Sequence, residues 1–405
     1  MTAAETEGSR SNPGSASTVR PLPATIVHVV RQFHPNRGGL EDFVCNLVAE
    51  QVRRGHRVRV VTLDSLFSAP EVRLPARDGF RGAEVVRIPW RGSSRYPIAF
   101  GVFGHLADAD LVHVHAIDFF FDALALWRPV HRRPLVATTH GGFFHTGAHA
   151  RLKRLWFAGP TRLSCLAYDV VVACGAADAE LFAPIAGSRL MRIDNGADLS
   201  KFADRASRTP RRTLVTIGRF SSNKRLDRLL DTMNVLEAGD PRWRLEIVGV
   251  AADLDAADLG REISARNLEA AVGVHCGASN DEVATIVETA SLFVSASEYE
   301  GFGLALIEAM SAGLVPVVHG NESFVNLAAE HRGITVTDFA SPRCAADAIA
   351  GAYAMLEARG AALRGELIAS VADLAWEKVA DRYEAAYLRA GLAAAETRSR
   401  GADGA

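Results

Sequence analysis

Two doubly wound parallel α/β sheets, one in each half of the chain, are what this sequence predicts. Three observations carry that expectation. The 405 residues exceed what one ordinary core organises. Short β-branched apolar runs recur in two successive series, spaced widely enough for a helix between each pair. Between the series the chain turns polar and basic around 195–213, with Pro210 near its end.

The first run, 24–30, leads into a polar loop that ends at Gly38-Gly39. Beyond the glycines, Leu40, Phe43, Val44, Leu47, Val48 and Val52 follow helical spacing until Gly55 supplies a stop, and 57–63 reads as the next strand. Strand-like runs continue at 111–116, 135–139, 169–174 and 191–194. We place an N-terminal unit at 23–200, a linker at 201–212 and a second unit at 213–374. The second unit repeats the α/β alternation with runs at 214–217, 245–248, 272–275, 292–295 and 315–318, and Ser279-x-x-Glu282 has capping-box form. An amphipathic segment at 375–395 is expected to pack back across the interface, and 1–22 and 396–405 have the composition of disordered ends.

Charge and composition exclude several classes. Lys+Arg 45 against Asp+Glu 47 leaves a net charge of -2, so no broad cationic surface for nucleic acid is expected. The sequence holds no apolar run approaching the roughly 20 residues of a membrane span. Residues 1–20 lack the apolar centre of a signal peptide, which places the expected location in the cytoplasm. Five widely spaced cysteines with no CxxC fit reduced thiols and no zinc site.

Ligands of open parallel sheets bind beyond the carboxyl ends of the strands, so the strand-to-helix loops hold the candidate residues. Gly39 opens the first helix where a phosphate could meet backbone N–H groups; the loop is not GxGxxG, which disfavours a nicotinamide or flavin site. His140 follows the 135–139 strand, at the head of His140-Gly-Gly-Phe-Phe-His145. A basic, aromatic stretch comes next, with Arg151, Lys153, Arg154 and Trp156; it suits anionic lipid head groups or a diphosphate, and equally a solvated helix face. In the second unit, Arg219 and Lys224 flank a strand end and a helix start, the arrangement a diphosphate leaving group without a metal needs.

The most specific segment runs from Ser295 to Met310. Glu300 precedes the turn Gly301-Phe302-Gly303-Leu304, and Glu308 lies about two turns into the following helix, among apolar neighbours. One carboxylate can accept from a ribose diol and the other from a sugar hydroxyl, while the amides of Phe302, Gly303 and Leu304 meet phosphate or sugar oxygens. Two DxD patterns are set aside as metal sites: Asp108-Ala-Asp110 precedes its strand, and Asp253-Leu-Asp255 reads as helical. His113-Val-His115 puts two imidazoles on one strand face without an evident third ligand, which favours a structural role.

With these residues in view, the chain resembles the retaining glycosyltransferases of family 4, whose GT-B fold is two facing Rossmann-like domains. The carriers are Gly38-Gly39, His140, Asn195-Gly196-Ala197-Asp198, Gly218-Arg219 with Lys224, and Glu300-x7-Glu308. The resemblance implies that Arg219 and Lys224 hold the donor diphosphate, that Glu308 binds the ribose, that Glu300 contacts the transferred sugar, and that His140 approaches the sugar from the opposite domain. It also implies retention of anomeric configuration without a dedicated nucleophile, cofactor or metal. The segment from His140 to Thr146 is similar to that of bacterial exopolysaccharide mannosyltransferases acting from GDP-mannose on cellobiosyl-diphosphopolyprenol. That narrower likeness implies a nucleotide-sugar donor, GDP-mannose, a polyprenyl-diphosphate-linked glycan acceptor, and a peripheral position on the cytoplasmic face of the inner membrane. Against it stand a family 4 enzyme using a UDP-sugar, a GT-B sugar-nucleotide epimerase and a non-catalytic nucleotide-sugar-binding partner.

Overall fold

A computed structural model of the protein describes residues 23–141 and 156–392. The expected disordered ends at 1–22 and 396–405, and the candidate residues Arg151, Lys153 and Arg154, therefore lie outside the described residues.

The chain opens with β1 (Thr25–Val29), whose sequence TIVHV is β-branched and almost wholly buried. It passes through the glycine loop into α1 (Gly39–Arg53), with Glu41 and Asp42 in the first turn, where carboxylates favour the positive helix end. Phe43, Val44, Leu47 and Val48 form its buried stripe. Next come β2 (Arg57–Leu63), a hairpin of β3 (Ser65–Leu66) and β4 (Ala69–Arg73), then β5 (Arg77–Phe80) and β6 (Ala83–Ile88). A second hairpin joins β7 (Arg91–Ser93) and β8 (Tyr96–Ile98) to a 3-10 turn at Phe100–His105. Then follow β9 (Leu111–His115), α2 (Phe119–Leu126), α3 (Arg128–His131) and β10 (Leu135–Thr138). The half closes with α4 (Arg162–Cys165), β11 (Val170–Ala173), α5 (Ala176–Ala186) and β12 (Leu190–Arg192).

These strands form one eight-stranded sheet in the order β12-β11-β10-β9-β1-β2-β6-β5, parallel except for β5. β6 was not anticipated; its AEVVRI follows a charged, turn-rich stretch, and the short run gains its identity from pairing with β2. The sequence order reverses between β1 and β9, so the ligand-binding crevice falls at the loops following those two strands.

The second half carries β13 (Thr213–Phe220), α6 (Leu226–Gly239), β14 (Arg244–Ala251), α7 (Ala256–Ser264), β15 (Val272–Cys276) and α8 (Asn280–Thr289). It continues through β16 (Leu292–Ser295), α9 (Leu304–Ala312), β17 (Val315–His319), α10 (Glu322–Glu330) and β18 (Thr335–Thr337). Its six-stranded sheet is wholly parallel, ordered β15-β14-β13-β16-β17-β18, with the switch between β13 and β16. The predicted capping box forms, with Ser279 and Glu282 each satisfying the other's backbone N–H at the start of α8.

Two helices, α11 (Pro342–Arg359) and α12 (Ala361–Val371), complete this half, and α13 (Trp376–Arg389) returns to the first. Its Val379, Ala380, Tyr383, Ala386 and Tyr387 share a core with Ile26, Phe43 and Leu47. Arg54 fastens it through Asp381 at 2.7 Å and Glu384 at 3.0 Å. The stretch expected to link the halves packs on the second: Phe202 is buried in its core, and the amides of Asp204 and Ala206 donate to the carbonyls of Ser311 and Ala312 at the end of α9.

Candidate active site

The donor-side residues converge at the switch point of the second sheet. β13 runs further than its apolar core, through Phe220, so Arg219 sits on the strand itself, exposed, in register with Val250 of β14. Close approach of the two strands requires glycine: a Cβ on Gly249 would stand 1.7 Å from the Gly218 carbonyl oxygen. Gly218 in turn lets the Lys224 stem cross it, with Cε 3.4 Å from where a Cβ would be.

Lys224 ends a 3-10 turn and reaches Glu300 at 2.7 Å, both side chains largely enclosed. The loop that carries Glu300 is held from both sides. The Glu298 amide donates to the Asn223 carbonyl at 2.9 Å, and the Ser323 hydroxyl donates to the Glu300 carbonyl at 2.6 Å. Lys224 and Glu300 thus neutralise one another across the loop.

Gly303, at φ 96° and with Phe324 and Leu327 pressing on its Cα, opens α9 in a conformation that favours glycine. The Leu306 and Ile307 amides donate to the Gly303 carbonyl, whereas the amide of Leu304, the first helical residue, has no acceptor earlier in the helix and lies at its positive end. Glu308 is the fifth residue of α9, one turn in and not two. It faces Lys201 at 3.3 Å. Burial raises its carboxyl above the ordinary range and Lys201 opposes that shift. Lys201 had no signal in the sequence, since it comes from the stretch read as a linker. The Asp253-Leu-Asp255 segment also differs from expectation: Asp253 accepts from the Ser222 amide and hydroxyl at 2.8 and 2.6 Å, and Asp255 caps α7. Asp253 thus braces the Lys224 turn from the loop that follows β14.

The first half presents a different surface chemistry. Gly39 begins α1 just after β1, and one turn later the Phe43 ring meets His140 edge-on at 4.8 Å. His140, at φ 53°, donates no charge there; enclosure pushes its imidazole down to about 3. Its Nε2 lies 3.0 Å from His115 Nδ1 and its Nδ1 lies 3.8 Å from the Cys174 thiol.

Behind it stands a buried chain of neutral imidazoles. His115 Nε2 is 2.9 Å from His28 Nδ1, and His28 Nε2 is 2.7 Å from the Gln51 carbonyl oxygen. Gln51 also donates to the Tyr387 hydroxyl at 2.7 Å, which lies 2.8 Å from His113 Nδ1, while His113 Nε2 reaches Thr138 at 2.7 Å. The polarity follows from one end. Gln51 oxygen accepts, so His28 holds its proton on Nε2, His115 on Nε2 and His140 on Nε2. His28 is therefore the third imidazole that the His113-Val-His115 pattern lacked, and all six ring nitrogens of this trio have hydrogen-bond partners. That pairing marks it as a hydrogen-bonded network, with burial depressing every member.

Asp118, immediately past β9 at the first switch point, was also missed. One carboxyl oxygen caps α2 through the Phe120 amide at 2.9 Å; the other is buried without a hydrogen-bond partner among the described residues. Burial pushes this carboxyl up to about 7. Asp108-Ala-Asp110, by contrast, is spent structurally: Asp108 binds Arg59 at 2.6 Å and Asp110 accepts from the Thr25 amide at 2.9 Å.

Facing sheets with paired cations and carboxylates at one switch point match a known family. The profile of glycosyltransferase family 4 matches residues 37–201, and that of glycosyl transferases group 1 matches 199–360. The chain belongs to this glycosyltransferase family. It is 42% identical over 360 residues to a GDP-mannose:cellobiosyl-diphosphopolyprenol alpha-mannosyltransferase of Xanthomonas campestris, covering 88% of this chain and 95% of the relative. A protein of the same description from Komagataeibacter xylinus is 45% identical over 303 residues, covering 75% of this chain and 77% of the relative. Among solved structures, Anabaena HepE in complex with UDP superposes with a TM-score of 0.68 at 17% identity, over 90% of this chain and 99% of the other. Sucrose-phosphate synthase from Thermosynechococcus elongatus gives 0.67 at 16%, over 90% and 98%. Those two likenesses establish the GT-B fold of this glycosyltransferase.

Proposed function

We propose that this glycosyltransferase moves mannose from GDP-mannose, with retention, to a polyprenyl-diphosphate-linked glycan in exopolysaccharide assembly, on the cytoplasmic side of the inner membrane and without a metal. The observation that carries the reading of the chemistry is the pair of cation–carboxylate contacts, Lys224 with Glu300 and Lys201 with Glu308, at the switch point of the second sheet. The identity of 42–45% to the mannosyltransferases above supports the sugar and the acceptor class.

In the mechanism, the donor diphosphate lies over Arg219, Lys224 and the first-turn amides of α9. Two cations and a helix end stabilise the charge that develops as the glycosidic bond to phosphate breaks. Glu300, released from Lys224, accepts from the mannosyl hydroxyls, and Glu308 accepts from the ribose. The acceptor hydroxyl attacks from the face the diphosphate leaves, and a diphosphate oxygen takes its proton. His140, neutral and fixed in one tautomer, lines the opposite wall. None of the described helices is long and apolar enough to cross a membrane, which accords with a peripheral enzyme.

Purified protein incubated in EDTA with GDP-mannose, UDP-glucose, UDP-galactose or UDP-N-acetylglucosamine, with and without a polyprenyl-diphosphate glycan, tests this reading. Acceptor-dependent release of GDP alone is the expected result. Release of UDP overturns the donor assignment, a requirement for divalent cation overturns the metal independence, and acceptor-independent conversion points to an epimerase.

A further inference from the structure

Large exposed hydrophobic side chains are unevenly distributed over this protein, with single ones such as Val72, Val250, Val325 and Met355 set apart from one dense group. Among the described residues, six of them gather in one part of the first half: Phe100 at 55% exposure, Leu126 at 78%, Trp127 at 44%, Val130 at 68%, Leu163 at 71% and Leu166 at 55%. Contiguous apolar patches of this kind mark sites of interaction with a membrane or another protein.

The elements that carry them are tied into one face. Asp122 of α2 accepts from Ser164 of α4 at 2.6 Å and from the Tyr96 hydroxyl of β8 at 2.9 Å, so α2, α4 and the β7–β8 hairpin lie side by side. Leu126 stands one helical turn beyond Asp122 on the same stripe, and Leu166 one turn beyond Leu163. Phe103 packs on Trp127 at 5.5 Å between ring centroids, and Phe100 on Phe119 at 5.2 Å. Between them a groove of about 600 Å³ opens, floored by Phe103 and Leu106 and walled by Phe100, Trp127 and Val130. At the other end Trp156, 43% exposed, meets Tyr96 at 6.5 Å.

Charge selects the occupant. The segments 123–133 and 156–166 contain no acidic residue but hold Arg128, Arg132, Arg133 and Arg162. Arg128 and Arg133 are engaged with Asp169 and with backbone carbonyls, whereas Arg132 and Arg162 are exposed. Two copies of this face would set the exposed Arg132 and Arg162 against one another, while the nearby acids Asp122 and Asp169 already have partners within the protein, which disfavours a symmetric dimer. Aromatic and aliphatic side chains interleaved with cations fit the interfacial zone of an anionic bilayer, where each basic residue adds on the order of 1 kcal/mol.

We propose that the face formed by the 3-10 turn at Phe100–His105, α2, α3 and α4 docks on an anionic phospholipid surface. α2 starts at the carboxyl edge of the first sheet, beside Asp118 and His115, and its eight residues descend about 12 Å toward the far edge. The exposed side chains lie toward that far edge, ahead of β9, β10 and β11, so the docked face stands beside the crevice and not over it. The docking does not depend on the acceptor assigned above.

The test is flotation of the full-length protein with vesicles of phosphatidylglycerol and phosphatidylcholine, or phosphatidylcholine alone. Wild type is expected to float with the anionic vesicles and to be released by salt. A Leu126→Asp/Leu163→Asp double variant is expected to lose about ten-fold or more in partitioning, while its turnover with a water-soluble short-chain acceptor analogue stays at the wild-type rate. Both positions are so exposed that folding is not at stake, and thermal melting checks it. Equal partitioning of wild type and variant, or no association of wild type with anionic vesicles, overturns the proposal. So does a wild-type dimer that the substitutions convert to monomer without altering flotation. Failure of turnover with the soluble acceptor in wild type strikes the mannosyltransferase reading and leaves the flotation result to stand by itself.

Discussion

The loops beyond the two sheets handle charge in opposite ways. On the donor side, charges are kept and cancelled in pairs: Lys224 against Glu300 at 2.7 Å, Lys201 against Glu308 at 3.3 Å. On the other side charge is abolished, because burial holds His28, His113, His115 and His140 neutral; His28, His115 and His140 bond in series, and His113 bonds to Tyr387 and Thr138. Paired charges can exchange partners when a dianion arrives. A neutral network cannot, and it holds its geometry instead. The comparison teaches that the second half keeps exchangeable charge at its switch point, while the first keeps a fixed, uncharged hydrogen-bond array.

Acidification should separate the two walls most sharply. The folded-state pKa of each buried imidazole lies below its unfolded value near 6.5, so the unfolded chain takes up protons that the fold refuses. Stability is complete above pH 6.5 and falls as pH drops below it. With folded-state values of about 4 and about 3, His28 and His140 each cost about 2 kcal/mol by pH 5, and the buried His113 and His115 act in the same direction. Chemical denaturation between pH 7 and 4.5 reads this, and His113→Asn should reduce the proton uptake on unfolding by about one. An unchanged slope in that variant would place the titration elsewhere.

Next in size is Lys224→Ala. It deletes a diphosphate cation and leaves Glu300 unpaired, for an expected loss of donor affinity of about 100-fold, or ~2.7 kcal/mol. Calorimetric titration with GDP measures it, and affinity within two-fold of wild type would sink the donor assignment. Gln51→Leu attacks the other wall without touching substrate. Losing the acceptor for His28 frees the tautomer of His140, and kcat should drop about ten-fold with the donor KM unchanged, whereas Gln51→Glu, which retains the acceptor, should stay near wild type. Equal effects in both variants would reduce the network to packing.

The smallest effect is expected from Lys201→Met. Without that cation the Glu308 carboxyl, already raised by burial, rises further, so donor affinity should fall by about three- to five-fold at neutral pH and decline at a higher pH than in wild type. The donor KM as a function of pH shows it directly.

Much of the donor wall was legible because it is local. A β-branched run, a lysine turn, a glycine turn and a helix with one embedded glutamate state their geometry within a few residues, and the structure places Arg219, Lys224, Glu300 and Glu308 at a single switch point. The first wall was read only at its edges, in Gly39 and His140. His28 looks like any polar residue inside an apolar strand, and Asp118 like an ordinary helix cap, until folding buries them. Position along α9 was misjudged for a related reason: the helix begins only after Gly303 has turned, and a sequence does not mark where a turn ends and a helix starts.

By itself, the sequence determined the α/β alternation in two halves and which residues stand in the loops beyond the strands of the second half, since strand propensity, glycine turns and caps act between near neighbours. Tertiary structure alone decided the strand order, the exposed apolar face of α2 and α4, and every pairing across long stretches of chain. Lys201 meets Glu308 across 107 residues, His113 meets Tyr387 across 274, and Gln51 meets Tyr387 across 336. Such contacts leave no local trace. They exist because packing two sheets and returning α13 to the first core buries those groups together, and a buried polar group must take whatever partner the fold brings within reach.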